Sequence, residues 1–152
     1  MHKRIGLFVC LTVMGFLSCQ PKGDEQPPPR FERSLNTEEA ISTIAFGSCN
    51  RQDRAQVIWP AILENDPDLW IWLGDNIYAD TEDMALMEAL YKQQKFDPHY
   101  TRFRKNVPVI GIWDDHDYGV NDGDKHYPKK EESKQLMLDF LDVPDSALVR
   151  ER

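Results

Sequence analysis

Residues 68–80 read DLWIWLGDNIYAD. Five apolar residues, Leu69 to Leu73, run without a break and stop at Gly74. A run that does not alternate suits a strand covered on both faces, as in a parallel sheet. Directly after it come Asp75, Tyr78, Asp80 and Glu82. A buried strand that ends in so much oxygen predicts that its last residues leave the sheet to hold metal ions.

Working outward, ISTIAFGS (41–48) is rich in strand formers and runs into the polar stretch SCNRQ (48–52). VPVIGIW (107–113) is a third apolar strand and runs into DDHDYGVNDGD (114–124), too acidic and too rich in turn residues to be core. Between the first two strands, Ala55, Ile58, Trp59, Ile62 and Leu63 recur at helical spacing, with Pro60 awkwardly placed among them. Thr81 is expected to cap a helix carrying Met84, Met87, Leu90 and Tyr91 on one side. Asp97-Pro98 starts another helical turn, with Tyr100 and Phe103 facing inward. A last helix over 129–141 presents Leu136, Met137, Phe140 and Leu141. The order strand, helix, strand, helices, strand, helix predicts an α/β domain with right-handed parallel crossovers. In such sheets sites form beyond the carboxyl ends of the strands. Three polar clusters, at 48–52, 74–80 and 113–122, stand immediately after the three strands and are expected to meet at one edge.

The 152-residue chain suffices for one domain, and its 41% hydrophobic and 29% charged content is that of a globular protein. A formal charge of −8 argues against a nucleic-acid-binding domain, which is usually basic. The first 18 residues read as an export signal: MHKR is a basic start, and IGLFVCLTVMGFL is an apolar stretch too short to span a bilayer comfortably. Leu17-Ser18-Cys19 resembles a bacterial lipobox, with Cys19 as the lipidated first residue. An ordinary cleaved signal and an uncleaved anchor remain the plainer readings. Residues 19–40 are polar and Pro-rich and read as a tether, so the domain spans 41–152. Of three cysteines, only Cys49 lies in the domain, a lone thiol in an oxidising compartment if Cys19 is lipidated.

The strand ends supply a thiol at Cys49, carboxylates at Asp75, Asp114, Asp115 and Asp117, a phenol at Tyr78, an imidazole at His116 and an amide at Asn121. Carboxylate and amide oxygens suit calcium, magnesium or manganese. Thiolate and phenolate suit a more Lewis-acidic ion such as ferric iron. Two metals sharing a carboxylate can activate a water and clamp a phosphoryl group. Each residue also has a plainer role: Cys49 as a small buried side chain, Tyr78 as a core aromatic, Asp75 as a cap, the acidic loop as a solvated surface. Arg51 can bind a phosphate bidentately; Arg54, His99 and His126 read as surface residues.

FGSCNRQ, PDLWIWLGDNIYAD and VIGIWDDHDYGVND together resemble the successive motifs of the alkaline phosphatase D (PhoD-like) metallophosphatases, over roughly residues 44–140. The resemblance implies the N-terminal part of an α/β/β/α sandwich with two sheets. It implies an exported phosphoesterase in the periplasm or at the cell surface, lipid-anchored if Cys19 is modified. Small phosphate esters, monoesters or diesters, would be hydrolysed by a metal-activated hydroxide, with iron and calcium as cofactors. Carried over residue by residue, Cys49 and Tyr78 would ligate iron and Asp75 would bridge the metals. Asp115 would be a further ligand, Asn121 an oxygen ligand, and His116 would stand at the leaving group. The Asp-x-His that opens ordinary metallophosphatases is absent, and GSC stands near its place. Relatives continue past the equivalent of Phe140 into further strands and metal motifs. A missing C-terminal half is therefore expected to be needed for full activity. A non-catalytic metal-binding lipoprotein and an inactive fragment of such an enzyme are the rival readings.

Overall fold

The computed structural model describes Glu38 and residues 40–151. The expected signal segment, Cys19 and nearly all of the expected tether lie outside the described residues. Among those described, no helix is long and apolar enough to cross a membrane.

Three strands, β1 (Ile44–Gly47), β2 (Leu69–Leu73) and β3 (Val109–Ile112), form one parallel sheet in the order β1-β2-β3. Helix α1 (Ile58–Leu63) lies in the first crossover, and α2 (Met84–Lys95) and α3 (Pro98–Asn106) in the second. Helices α4 (Asp115–Tyr118) and α5 (Lys130–Phe140) follow β3, and a 3₁₀ turn at Leu148–Glu151 comes last. The chain is therefore an α/β domain with the expected alternation.

Parallel register decides what each face carries. Ala45, Trp70 and Val109 stand in one row, and Gly47, Trp72 and Gly111 in the next. These rows meet the helices. Trp59, Trp70, Trp72, Tyr91, Tyr100, Phe103 and Phe140 are all buried in the resulting core, with Met87 and Met137 between them. The rings meet edge-on or tilted, Trp59 lying 5.2 Å from Trp70 and 4.7 Å from Tyr100 between centroids. Such pairs add about 0.5–1.5 kcal/mol each beyond the area they bury. The indole N–H of Trp72 donates to the Tyr100 hydroxyl at 2.9 Å, so this polar edge is satisfied within the core.

Several boundaries differ from expectation. β1 begins at Ile44 because the preceding residues bond elsewhere: the Asp68 carboxylate accepts from the Ser42 and Thr43 amides and from the Ser42 hydroxyl. Helix α1 starts at Ile58, leaving Ala55 outside it, and Ile58 itself is exposed. Pro60 falls in the first turn, where the missing N–H has no intrahelical partner to lose. The cap of α2 is Asp83, which accepts from the Ala85 and Leu86 amides; Thr81 instead accepts from the Asp83 amide. Asp97 caps α3 as expected, with Tyr100 and Phe103 buried. β3 begins only at Val109, because Val107 closes α3 with its N–H on the Phe103 carbonyl. The acidic stretch after β3 is not wholly solvated: it folds into α4, and Asp117 is buried. Finally, β2 was expected to be covered on both faces. Among the described residues, Ile71 and Leu73 lie on a face that no helix covers.

Candidate metal centre

The parallel pairing of β1 and β2 does not stop at the last strand residues. The Cys49 amide donates to the Gly74 carbonyl at 3.3 Å and the Asn50 amide to the Asp75 carbonyl at 2.9 Å. This alignment sets Cys49 beside Asp75. Gly74, at φ 97°, then lets β2 pass close to the end of β3. A Cβ there would stand 2.6 Å from the Asp114 Cβ and 2.9 Å from its amide nitrogen. Only glycine permits that approach, and it brings Asp75 to the start of α4.

One ligand atom each from Asp75, Asp115 and His116 can lie within 4.8 Å of the others. The Asp75 Oδ2 atom accepts from the Tyr78 hydroxyl at 3.1 Å and from the Cys49 thiol at 3.5 Å. Its Oδ1 atom is buried and has no hydrogen-bond partner among the described residues. A carboxylate oxygen removed from water without a partner costs several kcal/mol unless something else neutralises it. A cation would do so, and two oxygens and an imidazole are a donor set for a divalent or trivalent metal. The residues present therefore fit a metal ion.

The neighbouring groups are held with specific charges. Asp115 accepts from the Asp122 amide and, at 2.9 Å, from the His116 amide. These bonds, that from Asp122 above all, hold its carboxyl below the usual carboxylate range and keep it ionised. Burial, reinforced by the hydrogen bonds with Cys49 and Asp75, pushes the Tyr78 phenol above its ordinary value. It stays protonated unless a cation draws the proton off. His116 Nδ1 lies 2.8 Å from Asp80 Oδ1, and its ring lies 4.3 Å from that of Tyr78. A His ring nitrogen held by a carboxylate fixes which tautomer the ring adopts. Asp80 also accepts from the Asn121 amide at 3.1 Å.

Of the six described non-glycine residues with positive φ, four lie here, while Asp66 and Asp142 lie elsewhere. Cys49, Asp75 and Asp80 adopt φ of 57°, 48° and 46°, and Asp122 adopts 57°. Left-handed conformations cost non-glycine residues on the order of 1 kcal/mol each and tend to collect at functional sites.

Cys49, Asp75, Tyr78, Asp115 and His116 thus come together. Asn121 lies beside them, its backbone amide donating to Asp80 and its side-chain Nδ2 to Asp122 at 2.7 Å. Arg51 is exposed and pairs with Asp53 through two hydrogen bonds, at 3.0 and 2.9 Å. Its guanidinium sits 5.3 Å from the centre of the Tyr78 ring. Asp114 and Asp117 are used structurally. Asp114 caps α4, while the buried Asp117 accepts from the Asn76 and Asp114 amides and the Tyr91 hydroxyl. Burial pushes the Asp117 carboxyl up to about 6 despite these bonds. His99, His126 and Arg54 are exposed. Spacing alone did not single out Asp80 as the partner of His116; its place six residues beyond Gly74, in a stretch already dense with oxygen, was the one signal.

Comparison with protein-family models, with curated proteins and with solved structures found no match to this chain.

Proposed function

We propose that this chain is an exported, lipid-anchored, metal-dependent phosphoesterase of the PhoD-like kind, its sheet forming part of a metallophosphatase sandwich. The observation that carries the proposal is the meeting of Asp75, Asp115 and His116, one ligand atom of each within 4.8 Å of the others, directly beyond the ends of β2 and β3, at a carboxylate whose Oδ1 is buried without a partner among the described residues. Asp75 and Asp115 would supply the first ligand atoms, with His116 beside them. Cys49 and Tyr78 stand at the other oxygen of Asp75 and extend the set towards a second, softer position, which suits iron beside calcium. Bound cations would supply the charge that acidifies a water and offsets the developing negative charge on phosphoryl oxygens.

The chain's own groups then have separate tasks. Asp80 holds His116 by Nδ1, leaving Nε2 to donate a proton to the departing alkoxide or phenoxide oxygen. Arg51, already packed on Tyr78, can swing from Asp53 to a phosphate oxygen at the rim.

The test is turnover of an aryl phosphate and a bis-aryl phosphodiester after reconstitution with iron and calcium. Asp75→Ala should lose on the order of 10³-fold in rate, the worth of several kcal/mol of charge stabilisation. Asp80→Asn should lose about 10–100-fold with the metal content maintained, as expected of a residue acting through another. Metal bound stoichiometrically without turnover on either ester would instead identify a non-catalytic metal-binding protein.

A further inference from the structure

Side-chain amides crowd the strand ends, and the proposed chemistry uses none of them. Among them Gln52, only 6% exposed, reaches the backbone of a candidate ligand. Its Nε2 donates to the Tyr78 carbonyl at 2.8 Å, and its Oε1 accepts from the Tyr78 amide at 3.0 Å. Residues 74–83 belong to no strand or helix, so Tyr78 has no ladder to fill these two groups. Gln52 stands in for a paired strand residue. It is itself held, because Gln93 on α2 donates from Nε2 to the Gln52 carbonyl at 3.1 Å. The next residue of α2, the buried Gln94, accepts from the Asn50 side chain at 2.8 Å. Two consecutive glutamines of one helix therefore grip the loop that follows Cys49.

We propose that Gln52 is a positioning residue of the metal centre, holding Tyr78 by both backbone groups so that the phenol meets Asp75 beside Cys49. The proposal rests on the metal-centre reading above. Local backbone preference does not hold this segment: Asp75 and Asp80, on either side of Tyr78, are both left-handed. A tie from outside the segment supplies what the local sequence does not. The Tyr78 ring contacts the His116 ring and the Arg51 guanidinium, and its hydroxyl donates to Asp75 Oδ2 at 3.1 Å. With the backbone fixed and the ring packed, the phenol oxygen is aimed before any ion arrives. A ligand ordered in advance gives up less freedom on binding. The choice of a carboxamide also follows from its chemistry. It donates and accepts at once and carries no charge. A carboxylate could accept but not donate, and a lysine or arginine could donate but not accept. Either would add a charge beside a centre whose ligands must balance that of the ion.

The test compares Gln52→Met with Gln56→Met in the full chain. Gln56 is the matched control, equally buried and in the same loop. It bonds the Arg51 and Arg54 carbonyls and the Trp59 indole N–H, and no metal-ligand candidate. In metal-free protein, the Tyr78 amide should exchange its hydrogen about 10-fold faster in Gln52→Met than in the wild type. Loaded with ferric iron, the wild type should show a visible charge-transfer band from the phenolate. Gln52→Met should shift or bleach that band and bind iron about 10–100-fold more weakly in competition with a chelator. Gln56→Met should unfold more readily yet keep the wild-type band and affinity. Should Gln52→Met lose its helical circular dichroism, the exposed Gln93→Ala is read in its place. It removes the bond to the Gln52 carbonyl and should weaken iron binding about 3-fold. A wild-type band and affinity in the variant read overturns the inference and leaves the metal centre standing, as does an equal loss in Gln56→Met. Iron bound by the wild type without the band removes Tyr78 as a ligand and the inference with it. A wild type that takes up no iron overturns the metal-centre reading and the inference together.

Discussion

On the covered side of the sheet, Trp59, Trp70, Trp72, Tyr100 and Phe103 fill the space with rings in edge-on and tilted contact. At the carboxyl ends of the same strands, Cys49, Asp75 and Asp80 hold left-handed backbone, and one carboxylate oxygen is buried without a partner. Only a residue or two of strand separates the regions. In the first, ring packing dominates, and the one buried polar group of these five rings without a partner among the described residues is the Trp70 indole N–H. In the second, local preference is overridden several times within a few residues. The aromatic core thus supplies the stability, and the strand ends give up part of it. Core variants should therefore weaken folding, whereas some variants at the strand ends should strengthen it while damaging function.

Trp72→Ala tests the first half of that contrast and has the largest expected effect on folding. It removes a fully buried ring and leaves the Tyr100 hydroxyl without its donor, so unfolding in urea should show a loss of about 3–5 kcal/mol. Asp117→Asn comes next and probes the seam between the two regions. The new amide group faces either the Asp114 and Asn76 amides or the Tyr91 hydroxyl, donor against donor, at a cost of about 1–3 kcal/mol.

The same carboxyl gives a dependence on pH. Its folded-state value of about 6 lies above the ordinary 3.8, so the folded protein holds the proton more tightly than the unfolded chain does. Stability from this group is full below pH 3.8 and is lost as pH rises through about 6. The depressed carboxyls, Asp68 and Asp115 among them, act in the opposite direction and below that window. Metal-free protein should thus lose stability between about pH 4 and 6 in thermal melts, and Asp117→Asn should abolish that slope. A slope that survives the substitution would assign the titration to another group.

The smallest effect is of opposite sign. Cys49→Gly relieves a left-handed residue on an exposed loop without opening a cavity, and should raise the stability of the metal-free protein by about 0.5–1 kcal/mol. The same variant should bind iron more weakly in an equilibrium dialysis assay. Unchanged or lowered stability would mean that the conformation of Cys49 is not strained.

Much of the architecture was legible in the residues. The runs 69–73 and 107–113 mark strands, and the spacing of Met84, Met87 and Tyr91 marks a helix with one packed side, because side-chain period follows from backbone geometry. The convergence of Cys49, Asp75, Tyr78, Asp115 and His116 was legible for a related reason: each follows a strand, and parallel strands end on one side. The start of α1 was less legible, because Gln56 closes the preceding turn with bonds to the Arg51 and Arg54 carbonyls and Ala55 never enters the helix.

What the sequence determined by itself is the pattern of strands and helices and the side of the sheet on which the acidic residues gather. Tertiary structure alone decided which of those acids remain available. Asp114, Asp115 and Asp117 are adjacent and chemically alike, yet one caps a helix, one faces the cluster and one is buried under Asn76 and Tyr91. It also decided that Asp80 holds His116, and that one face of an evenly apolar strand is covered while the described residues leave the other bare. Periodicity measures how apolar a segment is, but burial and hydrogen bonding depend on which distant groups arrive, and only the packed chain specifies those.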